Sequence, residues 1–245
     1  MKDKDILKLI KSEDIFNDLL LLIVKNFNSK SNNNPYIVNI SGSVSSGKTT
    51  FANHLRKILL ERFSIESSIV STDNFLYPTK TLISRGILNK KGFPISYDSE
   101  ALIDFFINIM KSKEVLMPIY SHEKYDILPE KQAILVKNVI IVDGINSLSL
   151  AKYTKDFDKL NIYLDVDEKD LRVWYIKRFL SLVESSKNDE KLFYFKFRDF
   201  SIEDLTKLAI NTWESINLIN LNENILPSSK NADIILHKDK DHFFI

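Results

Sequence analysis

Residues Gly42-Ser43-Val44-Ser45-Ser46-Gly47-Lys48-Thr49 have the types and spacing to hold phosphate. The glycines let the backbone turn tightly and bring N–H groups close to an anion. A helix starting there adds the positive end of its dipole. Lys48 has the reach to meet the β- and γ-phosphates of a nucleotide, and the Thr49 hydroxyl can ligate Mg²⁺. Thr50 is counted with the same nucleotide-binding set. Such a loop needs a strand before it and a helix after it. Tyr36 to Ile40 is a short, largely apolar run, and Phe51, Leu55, Ile58, Leu59 and Phe63 recur at helical spacing. A Ser/Gly-rich surface loop would have neither flank.

Three acidic residues stand where apolar runs end: Asp73, Asp143 and Asp165. Ligands of open parallel sheets gather at the carboxyl ends of strands. Asp143, after Val139-Ile140-Ile141-Val142, has the layout of a residue that handles Mg²⁺ directly or through water; the bland reading is an N-cap or turn aspartate. Asp73 is either a base for a substrate hydroxyl or a strand-end turn residue. Asp165 is as well explained as a helix-entry residue. Arg178 is a candidate to balance the charge of a migrating phosphoryl group. Arg172 and Lys177 read as solvated, His54 as a surface residue, and Trp174 and Trp213 as core rings.

The elements that must position these groups alternate. A helix is expected from Ser12, as its N-cap, to about Lys25, followed by a polar linker over 28–34. Strands are expected at 36–40, 64–71, 139–142, 160–166 and 232–236. Helices are expected after the phosphate loop, after Asp98 or Ser99, after Asp167, and from Ile202 to Ile219 with Ser201 as cap. A long loop containing Pro78, Gly86, Gly92 and Pro94 separates the second strand from the next helix, and Pro118 to Pro129 reads as irregular. Nearly all-apolar strands between helices imply an α/β fold, a parallel sheet with helices on both faces. We divide the chain into an N-terminal helix and linker over 1–34 and one phosphate-loop domain over 35–245.

Composition narrows the function classes. A net charge of +1 over 245 residues argues against a nucleic-acid-binding protein. The absence of cysteine excludes disulfides and thiolate chemistry, and four scattered histidines do not suggest a metal site. The run Leu19 to Val24 is far shorter than the ~20 residues of a membrane span. A cytoplasmic protein is expected.

Taken together, ISGSVSSGKTT, STDNFLYP, SRGILNKKGFPISYD, PIYSHEKYD, IVDGINSL, WYIKRFL and WESINLINLNENILP resemble the type I bacterial pantothenate kinases. The resemblance runs from about Pro35 to His242. It implies a P-loop kinase fold, ATP and Mg²⁺ as cofactors, and phosphorylation of the pantothenate primary hydroxyl, the first step toward coenzyme A. It also implies that Asp73 is the base, that Lys48 and Arg178 hold the transferred group, and that Thr49 and Asp143 serve Mg²⁺. Tyr120, His122, Tyr125, Tyr175 and Asn217 match pantothenate-lining positions, His242 matches a position near the adenine, and a homodimer is implied. Relatives commonly carry Glu at the position of Asp143, and the stretch before the phosphate loop is shorter here. Asn53 and Leu182 stand where coenzyme A-inhibited relatives carry Arg and often Phe, so weakened coenzyme A feedback is expected. The rival readings are a uridine kinase, phosphoribulokinase or glycerate kinase relative and, outside small-molecule kinases, a nucleotide switch; no guanine-reading [N/T]KxD stretch supports the last.

Overall fold

The computed structural model describes residues 13–149 and 151–245. Its first helix, α1 (Glu13–Asn28), places Phe16, Leu19, Leu20 and Ile23 on one buried face. Those side chains pack with Phe51, Leu55 and Leu59 of α2 (Lys48–Phe63), so α1 shares the core of the phosphate-loop helix. The expected cap Ser12 lies outside the described residues.

Five strands form one parallel sheet: β1 (Tyr36–Gly42), β2 (Ser67–Ser71), β5 (Val139–Asp143), β6 (Lys159–Val166) and β7 (Ile234–Lys238), in the order β2-β5-β1-β6-β7. β1 and β5 are buried throughout because neighbours flank them and layers cover both faces. On one face lie α1 and α2. The other carries α4 (Ser99–Ile109), whose Leu102, Phe105, Phe106 and Ile109 pack with Ile37, Val70, Ile140 and Val142. The Asp98 side chain caps α4 by accepting from the Ala101 N–H. Between β2 and α4, in the stretch read as loop, Thr79–Ser84 forms a short helix, α3.

Two further expectations change. Pro118 to Pro129 is not irregular: it is the turn end of an antiparallel hairpin, β3 (Glu114–Ser121) and β4 (Asp126–Leu135), with a register shift between Pro118 and Tyr120. Proline is tolerated there because a bulge and a two-stranded ribbon leave its missing N–H without consequence. The late helix also runs past Ile219. After α5 (Glu168–Ser186), α6 (Ile202–Thr212) begins at the Ser201 cap and continues through wide π turns at Trp213–Asn217 and Leu221–Ile225 to Ser228. Apolar periodicity cannot show such turns, since each adds a residue without breaking the helical pattern.

Candidate active site

The sheet order explains why residues far apart in sequence meet. β5 lies between β2 and β1, and in its register Asp143 stands beside both Ser71 and Ile40. The ends of these three strands carry Asp73, Asp143 and the phosphate loop. At the 143–144 step, a Cβ on Gly144 would come within 1.7 Å of Thr72 Oγ1, so only glycine lets the two strand ends approach this closely.

The loop itself is wound as its residues require. Gly42 and Gly47 have φ of 145° and 87°, and Ser45 is also left-handed at 64°. Lys48 Nζ reaches across the turn to donate to the Ser43 carbonyl at 2.7 Å. The Ser43, Ser45 and Ser46 hydroxyls are buried and have no hydrogen-bond partner among the described residues. Orphan donors in a glycine-bearing turn at a helix N-terminus are what an anion would satisfy. Burial pushes the Lys48 ammonium down to about 8, Asp143 and Asp73 pull it upward, and Arg178 lowers it further. Thr49 Oγ1 donates to Asp143 Oδ2 at 2.6 Å. Burial raises the Asp143 carboxyl, opposed by Lys48 and by the Thr49 bond.

One cleft, about 230 Å³, is lined by Val44, Ser45, Lys48, Thr49, Asp73, Asp143 and Arg178 together with Tyr120, His122, Tyr125, Tyr175 and Asn217. Gly42, Ser43, Ser46, Gly47 and Thr50 build the loop and helix start beneath it. The Asp73 N–H donates to Ser71 Oγ at 3.3 Å, and Asp73 Oδ1 accepts from the buried Tyr97 hydroxyl at 3.3 Å. Tyr97 is held protonated, well above the usual phenol range, by burial and then by the Asp73 charge. The hairpin supplies the rings: Tyr120 meets His122 edge-on at 5.1 Å, and Tyr125, left-handed at φ 54°, stacks on Phe193 at 4.5 Å. Burial raises the Tyr120 and Tyr125 phenols and lowers His122. Tyr175, from α5, and Asn217, from the first π turn, face the same cleft; burial raises the Tyr175 phenol and Asn217 partly offsets this.

Lys91, which in the sequence stands only within the long loop between Pro78 and Pro94, also lines the cleft. Its Nζ lies 4.1 Å from the Tyr125 ring centroid and 5.2 Å from that of Tyr120, and donates to the Tyr125 carbonyl. The following residue is tied down twice, since Asn146 Nδ2 and Asn220 Nδ2 both donate to the Gly92 carbonyl, at 2.8 and 3.0 Å. The second π turn ends this tether: Asn224 donates to Asn220 Oδ1 at 3.0 Å. Tyr194 also lines the cleft, its phenol pushed up to about 12 by burial and then by Tyr175. No periodicity marks these residues; the stretch KKGFPISYD was the one available signal for Lys91.

Not every residue singled out in the sequence lies on the cleft. His242 does not line the cleft; it stacks on Trp174, ring centroids 3.8 Å apart. Trp174 is therefore a half-buried platform rather than a core ring, whereas Trp213 is fully buried, at 0% exposure. His54 is half-buried against Phe16, 4.9 Å between centroids, because α1 covers that face of α2. Asp165 is paired with His237 at 2.8 Å, away from the cleft. Asn53 is exposed and donates to the Thr49 carbonyl at 2.8 Å, and Leu182 lines the cleft.

Comparison with known proteins agrees with this architecture. The Phosphoribulokinase / Uridine kinase family model matches residues 37–180. Pantothenate kinases from two Streptococcus pneumoniae strains are each 42% identical over 220 residues, covering 87% of this chain and 72% of theirs. Among solved structures, D-glycerate 3-kinase from Cryptococcus neoformans var. grubii superposes with a TM-score of 0.62 at 10% identity, covering 96% of this chain and 98% of that one, a likeness of fold alone. A fold of this group, and sequence identity at this level across most of both chains, place the protein: it belongs to the pantothenate kinase family of P-loop kinases.

Proposed function

We propose that this chain transfers the γ-phosphoryl group of ATP to the primary hydroxyl of pantothenate, giving 4'-phosphopantothenate on the way to coenzyme A. The observation that carries this reading is the shared cleft, in which Lys48, Asp73 and Arg178 face the same space as the ring-lined hairpin. In this reading Asp73 accepts the proton of the attacking hydroxyl. Tyr97 occupies its Oδ1 and leaves the other oxygen for substrate. Lys48 and Arg178 balance the charge on the transferred group. Pantothenate offers a carboxylate, an amide and hydroxyls, which Tyr120, His122, Tyr125, Tyr175 and Asn217 can pair, with Lys91 as a cation beside them.

Mg²⁺ belongs to the same proposal. Thr49 and Asp143 present oxygen donors 2.6 Å apart beside the phosphate loop. Among the described residues no group of three or more acidic or histidine side chains could hold a metal, which suits an ion that keeps several waters and binds mainly to phosphate. When bound, held by Thr49 and Asp143, it would supply positive charge that neutralises the phosphates. Asp143, with a shorter side chain than Glu, would reach it through water.

Coenzyme A feedback is expected to be weak, because Asn53 is neutral and turned back onto its own helix. The 1–34 and 35–245 division, a homodimer and a cytoplasmic place of action complete the reading. Neither a nucleic acid nor a membrane has a part in it, and no helix among the described residues is long and apolar enough to cross a membrane. The test is coupled ADP release with pantothenate, uridine and glycerate as acceptors, with and without coenzyme A. Release with pantothenate, little affected by coenzyme A, is expected; release with uridine but not pantothenate would overturn the acceptor.

A further inference from the structure

Lys238, the last residue of β7, is buried to 3% exposure, and its Nζ donates to the Ser46 carbonyl at 2.7 Å. It reaches the phosphate loop from 192 residues away. A Cβ on Gly47 would lie 2.8 Å from that Nζ, so the ammonium sits close against this peptide. Among the described residues no carboxylate pairs with Lys238. Its other neighbours are the Phe244 and Trp174 rings, with centroids at 5.4 and 5.9 Å. Burial, and then the Lys48 charge, hold its ammonium down to about 8.

A buried cation without a counter-ion is costly, and an apolar side chain of similar length would pack there at less cost. The loop supplies a reason to keep it. The Ser46–Gly47 peptide is planar and trans, so its carbonyl and the Gly47 N–H point in opposite directions. An ammonium on the carbonyl fixes that plane, aims the Gly47 N–H away from Lys238, and polarises it as a donor.

We infer that Lys238 is a second cation of the nucleotide-phosphate site, acting from behind the loop. It fixes and polarises the Ser46–Gly47 peptide, and the phosphates of bound nucleotide supply the negative charge it otherwise lacks. It is a positioning residue, since Lys48 and not Lys238 lines the cleft. The inference rests on the nucleotide reading of the loop, not on the identity of the acceptor.

The test is calorimetric binding of ADP and ATP to the full chain carrying Lys238→Met, Lys238→Gln or Lys238→Arg, with KM for each substrate. Removing a charged hydrogen bond to the cradle should weaken nucleotide binding roughly tenfold or more in the Met and Gln variants. KM for ATP should rise in parallel while KM for pantothenate stays within about twofold, and Arg should restore most of the affinity. Lys238→Gln keeps a neutral donor, so it decides the matter even if the Met variant fails to fold. Nucleotide affinity in Lys238→Gln within about twofold of the parent would overturn the role of the charge. A merely structural lysine would instead lower the melting temperature of ligand-free Lys238→Gln and leave nucleotide affinity unchanged. ADP binding by the parent, with no turnover of pantothenate, would sink the proposed acceptor and leave this inference standing.

Discussion

The phosphate loop and the acceptor side of the cleft are built on opposite plans. The loop is eight consecutive residues, Gly42 to Thr49, between a fully buried strand and a helix that starts at Lys48. Its shape follows from local backbone chemistry, with left-handed residues at 45 and 47 and the Ser43, Ser45 and Ser46 hydroxyls without partners among the described residues. The proposed acceptor side draws single residues from separate elements: Lys91 from a loop, Tyr120 and Tyr125 from the hairpin, Tyr175 and Arg178 from α5, Tyr194 from a short turn, and Asn217 from a π turn. A cradle for a common group is encoded in one stretch, while a pocket for one acceptor is encoded by packing.

Asp73 stands where the two plans meet, so changing it should separate them most strongly. Asp73→Asn is expected to lower kcat by roughly 10²–10⁴-fold, the usual contribution of a general base, while ATP affinity stays near the parent value. Retained turnover in a single-turnover assay would remove Asp73 from the mechanism.

A smaller and one-sided effect is expected from Lys91→Met. Its ammonium lies over the Tyr125 ring and is held near the cleft by the Gly92 tethers from Asn146 and Asn220. KM for pantothenate should rise roughly tenfold, with KM for ATP unchanged. Equal rises in both constants would show that the two sides of the cleft are not separable.

The mildest expected effect is on the nucleotide side and comes from pH. Ligand-free Lys48 sits at about 8, and its charged form is the one that attracts phosphate. As pH rises through that value the protonated fraction falls, so ATP affinity should drop by about fourfold between about pH 7 and about pH 8.5. Calorimetry at several pH values would check it, and affinity that increased over this range would contradict the assignment. The Tyr120 and Tyr125 phenols, raised by burial, stay protonated throughout.

Much of the frame was legible because its signals are local. Apolar runs marked β1, β5 and β6, the Asp98 and Ser201 caps marked α4 and α6, and the Asp143-Gly144 step marked a strand end. The hairpin was read as irregular because its tip carries Tyr120, His122 and Tyr125, whose polar tips and rings obscure strand alternation. The π turns that carry Asn217 and Asn224 were invisible for a related reason: a widened turn changes which face a residue occupies without changing residue types.

The sequence by itself determined the phosphate loop, since backbone N–H groups, a lysine and a hydroxyl within eight residues need only a strand and a helix to work. It also marked Asp73 and Asp143 as strand-end acids, because ligand sites in parallel sheets form at those ends. Only the tertiary structure decided which of the strand-end acids share a site. The order β2-β5-β1 sets Asp73 and Asp143 beside the loop, while Asp165, on the far side of β1, pairs with His237 instead. Tertiary structure alone also brought Lys238 under Ser46 and Lys91 between the rings. Contacts between residues so distant in sequence depend on how layers pack, and no local pattern records that.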